Sequence, residues 1–210
     1  AHGALLVFDE TITGFRYANG GAQQLFGVTP DLATFGKGLA NGYPVSAVAG
    51  RRDVMKLMEE IFFSFTFGGE TLSLAAAKAT LTKLREQPVA ATLAERGRQV
   101  MDGVQRIIDG AGLGDVFAAS GHPSWNFLII RDARGATSFE IKTLWMQEIM
   151  ERGILSVGTH NMSYAHTETD VERLLAVYAE VLPGVGRALD AGTLHQQLRC
   201  KPLEPLFKLR

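Results

Sequence analysis

The run Ala4-Leu5-Leu6-Val7-Phe8 is continuously apolar and stops at two acids, Asp9 and Glu10. A strand without polar alternation is buried on both faces, and an abrupt change to charge marks its exposed end. This feature constrains the fold more than any other, because strands of that kind belong to open α/β sheets whose ligands gather outside the carboxyl ends. The rest of the chain keeps the alternation. Strands are predicted at Leu32–Phe35, Val45–Ala49, Phe127–Ile130 and Ile154–Val157. Helices are predicted at Arg52–Glu60, Thr71–Arg85, Thr92–Asp109, Phe139–Arg152 and Glu168–Leu189, where apolar residues recur at helical spacing. Thr167-Glu168-Thr169-Asp170 has the form of a capping box, with Thr167 and Asp170 satisfying each other's backbone N–H groups. Gly110–Gly114 reads as a loop, and roughly the last twenty residues read as an irregular tail.

Strands interleaved with helices indicate an α/β fold. Pro88 interrupts the helical pattern and divides an apolar, Gly-rich block, residues 1–88, from a more charged block, 89–210, with its own strand–helix alternation. The balance of 21 Lys+Arg against 22 Asp+Glu gives no electrostatic reason to expect nucleic acid or an anionic membrane as partner. Cys200 is the single cysteine, which excludes an internal disulfide framework and a cysteine-cluster metal site and is compatible with a reducing cytoplasm. No apolar run approaches the roughly 18 consecutive residues of a membrane span, and no His/Asp/Glu cluster has metal-ligand spacing. The composition, 46% hydrophobic and 20% charged, is that of a soluble globular chain.

Three strings carry candidate chemistry: Val7-Phe8-Asp9-Glu10-Thr11-Ile12-Thr13-Gly14-Phe15-Arg16, Thr34-Phe35-Gly36-Lys37-Gly38 and Ser64-Phe65-Thr66-Phe67-Gly68-Gly69. Asp9, at the end of a strand, is either a buried acid with a cationic partner or a loop acid capping the next turn. Lys37 lies between glycines that let a ligand approach the backbone, and a lysine that attacks a carbonyl must be partly desolvated because its nucleophilic form is the neutral amine. The alternative is a solvated lysine in a tight turn. Thr66 precedes two glycines, where a hydroxyl and backbone N–H groups suit an oxyanion; a plain turn is the alternative.

An aspartate, a glycine-flanked lysine and a Thr-Gly-Gly loop together supply what pyridoxal phosphate needs. On these strings, and on Ala165-His166-Thr167, the chain resembles the class III aminotransferases of the fold-type I pyridoxal-phosphate enzymes, in the branch that includes glutamate-1-semialdehyde aminomutase. The resemblance implies pyridoxal 5'-phosphate as cofactor and transfer of an amino group between an amino compound and a keto or aldehyde compound. Asp9 matches the aspartate that pairs with the ring nitrogen. Lys37 matches the lysine that forms the Schiff base and then moves a proton. Thr11 and Ile12 match positions beside the ring, where the family more often has Val at the Thr11 position. Thr66 matches a threonine that reaches the cofactor phosphate of the neighbouring subunit, which implies a homodimer with shared active sites. Residues 1–88 would be the C-terminal part of the large cofactor-binding domain and 89–210 the small C-terminal α/β domain.

Other residues read more plainly. His166, just before a helix cap, reads as structural, and His160-Asn161 reads as a polar loop, with the lining of a substrate pocket as the alternative. Phe62, Phe63, Phe65 and Phe67 read as buried core or a dimer seam, and Leu174, Leu175, Tyr178 and Val181 as a helix core stripe. The aminomutase carries a glutamate where this chain has Gly158. The strand bearing Asp9 is expected to be a middle piece of a larger sheet, so the 210 residues read as the C-terminal half of a subunit. The family's phosphate cup and ring-stacking aromatic would precede them. A truncated, noncatalytic chain serving as a binding or structural partner is the competing reading.

Overall fold

Of the apolar run near the start only Val7 and Phe8 enter β1 (Val7–Asp9), and Leu5, Leu6 and Val7 are exposed rather than buried on both faces. β1 pairs in parallel with β2 (Leu32–Phe35) so that Asp9 lies opposite Thr34. The structure is a computed structural model that describes residues 2–205. Two neighbouring parallel strands require a crossover connection, usually helical. Here it contains α1 (Gly21–Phe26), a short helix that is not among those predicted from apolar spacing. Gly27 ends α1 in the left-handed conformation at φ 64°, a helix stop that glycine adopts without a Cβ clash. β3 (Ala47–Gly50) then adds antiparallel to β2, giving the order β1-β2-β3. The predicted helix at Arg52–Glu60 is α2 (Arg52–Met55) continued by a 3-10 turn, Lys56–Glu59.

α3 (Thr71–Glu86) is capped by Glu70, whose carboxylate accepts from Leu72 N at 2.9 Å and Ser73 N at 2.6 Å. Its inner face meets the chain after β2: Leu39, Ala40 and Ala77 are buried together, with Phe15, Phe35, Val45 and Ala76 packed against them. These elements form one compact unit, Ala1–Leu93; a second comprises Ala94–Arg210. α4 (Val89–Gly110), which starts directly after Pro88, runs from the first into the second.

The second unit holds an antiparallel sheet, β4 (Phe117–His122), β5 (Trp125–Ile130) and β6 (Thr159–Asn161), in that order. Its helices are α5 (Ser138–Glu151), α6 (Glu168–Asp190) and α7 (Leu194–Gln197). Both α5 and α6 open with capping boxes, Thr137 with Glu140 and Thr167 with Asp170, and the second is the one legible in the sequence. The core is built from Val100, Val104, Phe117, Ile141, Leu144, Trp145, Tyr178, Leu182 and Val185, all at most 2% exposed. Fully burying each of these large side chains contributes about 1.5–3 kcal/mol, which makes this apolar face the main stabilising term of the unit. Among the described residues no helix is long and apolar enough to cross a membrane.

One expectation fails here for a physical reason. The strand predicted at Ile154–Val157 is a connector bracketed by Gly153 (φ 79°) and Gly158 (φ 92°), with Leu155 87% exposed. The strand that pairs with β5 is the polar Thr159–Asn161 that follows. Apart from α7, the tail is irregular over its described residues, as expected, and it is tied to α5. Gln147 donates to Gln197 O at 3.0 Å and accepts from Arg199 N at 2.8 Å, and Leu203 N donates to Thr143 Oγ1 at 2.8 Å.

A buried polar chain crosses this core. Asn126 Nδ2 donates to Pro123 O at 2.8 Å, which turns Asn126 Oδ1 toward His160 Nδ1 at 2.7 Å. The amide oxygen only accepts, so Nδ1 carries the proton and Nε2 accepts from the Tyr178 hydroxyl at 2.7 Å. Burial pushes the His160 imidazole down to about 4 and the Tyr178 phenol upward.

Two predictions follow from this packing. A methyl at Gly97 would meet Pro123 O at 1.7 Å, a backbone atom that cannot swing aside, so Gly97→Ala is expected to lower the unfolding free energy by about 3 kcal/mol in urea titration. The His160 ring resonance is expected to stay that of a neutral imidazole from pH 7 to pH 5 and to titrate near 4. Because the unfolded ring takes a proton below about pH 6.5 that the folded ring refuses, this site removes roughly 3 kcal/mol of stability as the pH falls from 7 to 4.

Candidate active site

Parallel pairing puts the carboxyl ends of β1 and β2 on one edge, so Asp9 and the Lys37 turn emerge side by side. Asp9 Oδ1 accepts from Thr11 N at 3.0 Å and Thr34 Oγ1 at 3.2 Å. Hydrogen bonds from the Thr11 hydroxyl, the Thr11 amide and the Thr34 hydroxyl hold the Asp9 carboxyl below the usual carboxylate range, and the Lys37 charge adds to them. Asp9 is exposed, so this is an ionised acceptor open to a ligand. Of the two sequence readings of Asp9, the loop acid that caps the next turn holds and the buried acid does not. Asp9 also has a nearby cation.

Lys37 is exposed and heads a 3-10 turn, Lys37–Leu39, with φ at 40°. A lysine in the left-handed region is uncommon, because its Cβ crowds its own backbone. Three of the four non-glycine residues with positive φ among the described ones, Phe15, Lys37 and Asn41, lie in the two segments that follow β1 and β2. The flanking glycines lie within ordinary contact distance of the loop that follows Asp9. A Cβ on Gly36 would come 3.4 Å from the Thr11 methyl, and one on Gly38 would sit 3.6 Å from Gly14 O. The turn therefore lies directly against the loop that follows Asp9. Leu39 and Ala40 are buried at 8% and 2%, which anchors the turn below the lysine.

The loop after β1 is organised by Glu10, which the sequence reading passed over. Its carboxylate is 1% exposed and accepts from Thr13 Oγ1, from Ala22 N at 2.8 Å and from Gln23 N at 2.9 Å, the last two being amides of the first turn of α1. Thr34, the second hydroxyl on Asp9, was likewise missed. Neither has a local signal, since Glu10 depends on how the start of α1 returns to the strand end and Thr34 on which strand β1 pairs with.

The remaining predicted residues are placed as follows. Ile12 is half-buried in the turn after β1. Thr66 is exposed, in a turn closed by Gly68 N donating to Phe65 O at 2.9 Å, and no hydrogen bond or ion pair among the described residues joins it to Asp9 or Lys37. Phe62, Phe63, Phe65 and Phe67 are 94%, 52%, 65% and 58% exposed, so they are not core within this chain. His166 Nδ1 accepts from Ser163 N at 3.2 Å in the turn before α6, a structural placement. His160 is a buried network residue, whereas Asn161 is exposed.

The fold is that of pyridoxal-phosphate-dependent transaminases. Over 90% of this chain and 45% of the other, it matches the PLP internal aldimine form of the FumI protein of Sphingopyxis sp. MTA144, with a TM-score of 0.80 and 31% identity. Residues 1–119, more than half of the chain, match the family described as aminotransferase class III, and the chain belongs to that family. It is 36% identical over 197 residues to a glutamate-1-semialdehyde 2,1-aminomutase of Methanoregula boonei, covering 87% of this chain and 46% of that protein. It is 30% identical over 188 residues to a 3-aminobutyryl-CoA aminotransferase of Cloacimonas acidaminovorans, covering 88% and 45%. The chain spans about half the length of these relatives.

The backbone at Lys37 yields a direct test. Lys37→Gly is expected to stabilise the fold by about 0.5–1 kcal/mol, read as a higher urea midpoint, because glycine adopts positive φ without the Cβ clash.

Proposed function

We propose that the chain carries the ring-nitrogen acid and the reactive lysine of a pyridoxal-phosphate-dependent aminotransferase. The reaction moves an amino group between an amino compound and a keto or aldehyde compound. The observation that carries this reading is the pairing of an ionised, exposed Asp9 with a glycine-flanked Lys37 at adjoining strand ends.

The residues fit the cofactor. The hydrogen bonds from Thr11 and Thr34 keep the Asp9 carboxylate charged, which suits it to hold a protonated pyridine nitrogen. Lys37 would hold the cofactor aldehyde as a Schiff base through Nζ and, when freed by a substrate amine, carry a proton to and from the substrate carbon. Thr11 and Ile12, in the turn beside the Gly36-Lys37-Gly38 segment, would pack against the ring. Once bound, pyridoxal phosphate supplies an electron sink for the pair left on the amino-bearing carbon.

We assign residues 1–88 to the large cofactor-binding domain and 89–210 to the small terminal domain. Thr66 would reach the phosphate of a cofactor held by a second copy of the protein, and the exposed Phe62, Phe63, Phe65 and Phe67 would be covered in that homodimer. Gly158 stands where the aminomutase carries a glutamate, so that carboxylate is missing here, which favours aminotransferase over aminomutase chemistry.

Adding pyridoxal phosphate to the purified protein is expected to produce a visible absorption band. Lys37→Ala is expected to abolish that band while leaving the far-ultraviolet circular dichroism unchanged. A folded protein that shows no visible band would overturn the catalytic reading in favour of the binding or structural one.

A further inference from the structure

Glu10 is a buried carboxylate that no role in the reaction accounts for, and the chain is shaped around it. Gly21, at φ 72°, is buried against it, and a Cβ there would lie 2.5 Å from Glu10 Oε2. Gly14 closes over its backbone, where a Cβ would lie 2.7 Å from Glu10 O. Taking a carboxylate out of water is costly unless its oxygens are satisfied, and here one hydroxyl and two amides of a helix N-terminus satisfy them. The main chain of the same residue is tied on both sides. Glu10 N donates to Thr34 O at 2.9 Å, and Glu10 O accepts from Gly14 N at 2.8 Å.

With its side chain and both backbone polar groups fixed, Glu10 sets the direction of the next amide, Thr11 N, which donates to Asp9 Oδ1. We propose that Glu10 is a positioning residue: its buried carboxylate locks the turn after β1 to the start of α1 and thereby aims the Asp9 carboxylate toward the ring nitrogen. The inference rests on the role of Asp9 proposed above. It extends that role to a residue that touches neither cofactor nor substrate.

A carboxylate is required rather than any hydrogen-bonding group of that size. In Glu10→Gln an NH2 would replace one acceptor oxygen and face a donor amide of α1 or the Thr13 hydroxyl, so the lock opens although the volume is kept. A positioning role and a simple charge effect have opposite signs. If Glu10 were only a neighbouring negative charge, neutralising it would make Asp9 more acidic. If it positions Asp9, Glu10→Gln weakens the Thr11 hydrogen bonds and makes Asp9 less acidic, with the nearby Lys37 charge unchanged.

The test is a carbon-13 titration of the Asp9 carboxyl in the cofactor-free protein, compared between parent and Glu10→Gln. We expect the Asp9 midpoint to rise by about 0.5 or more in the variant, together with faster hydrogen exchange at the Ala22 and Gln23 amides. Thr13→Val changes no charge and leaves the carboxylate with its two amide donors. It is expected to shift Asp9 in the same direction by less, and it carries the test if Glu10→Gln does not fold. An Asp9 midpoint that stays put or falls in the folded variants would overturn the proposal. Adding pyridoxal phosphate to the parent separates the two readings. No visible band, with Asp9 still responding to Glu10, supports the positioning and overturns only the cofactor role of Asp9.

Discussion

The parallel register of β1 on β2 is the constraint from which the site follows. With Asp9 opposite Thr34, the hydroxyl of Thr34 reaches the Asp9 carboxylate and the last ladder bond runs from Glu10 N to Thr34 O. A slip of one residue would turn Thr34 to the other face of the sheet and carry the Lys37 turn away from the loop after β1. The pairing also dictates a crossover between the strands, and the buried Glu10 carboxylate is the point at which that crossover is tied back to the strand end. Acid, lysine and loop are thus parts of one register-dependent structure.

The site departs from relaxed geometry where the candidate chemistry lies. Phe15, Lys37 and Asn41 hold positive φ while the buried Leu39, Ala40 and Ala77 keep the surrounding backbone in place. A lysine in that conformation persists only where packing over-determines it, and the aromatic contact of Phe15 with Phe35, 5.6 Å between centroids, contributes to that packing. The second unit has a different character. Its apolar core is closed over a fully hydrogen-bonded chain from Asn126 through His160 to Tyr178, and its closest approaches are made at glycines, Gly97 under Pro123 O and Gly103 under Leu175. Buried polar groups of this kind are tolerated because each finds its partner.

Long periodic elements were legible in the chain. The helices α3, α4, α5 and α6 lie where apolar spacing, Pro88 and the Thr167–Asp170 capping box put them. The placement of Asp9 at a strand end and of Lys37 in a glycine-flanked turn was legible because both are local signals. Short and polar elements were not. β4 is mostly Ala, Ser and Gly and is a strand because β5 pairs with it, and β6 is the polar Thr-His-Asn rather than the apolar stretch before it. Strand preference follows the pairing surface more than intrinsic propensity. The segment after α7 is irregular as expected, yet Gln147 and Thr143 hold it along α5 through backbone groups that carry no side-chain signature.

The amino-acid sequence by itself determined the α/β alternation, the break at Pro88, and two candidate residues, an aspartate at a strand end and a lysine between glycines. These are properties of neighbours along the chain, and periodicity and turn chemistry express them directly. Only the tertiary structure decided that Thr34 supports Asp9, that Glu10 is a buried lock rather than a second surface acid, and that His160 is a neutral core residue. Each of these depends on what lies across a strand pair or beneath a helix, where burial and hydrogen-bond partners come from residues distant in sequence.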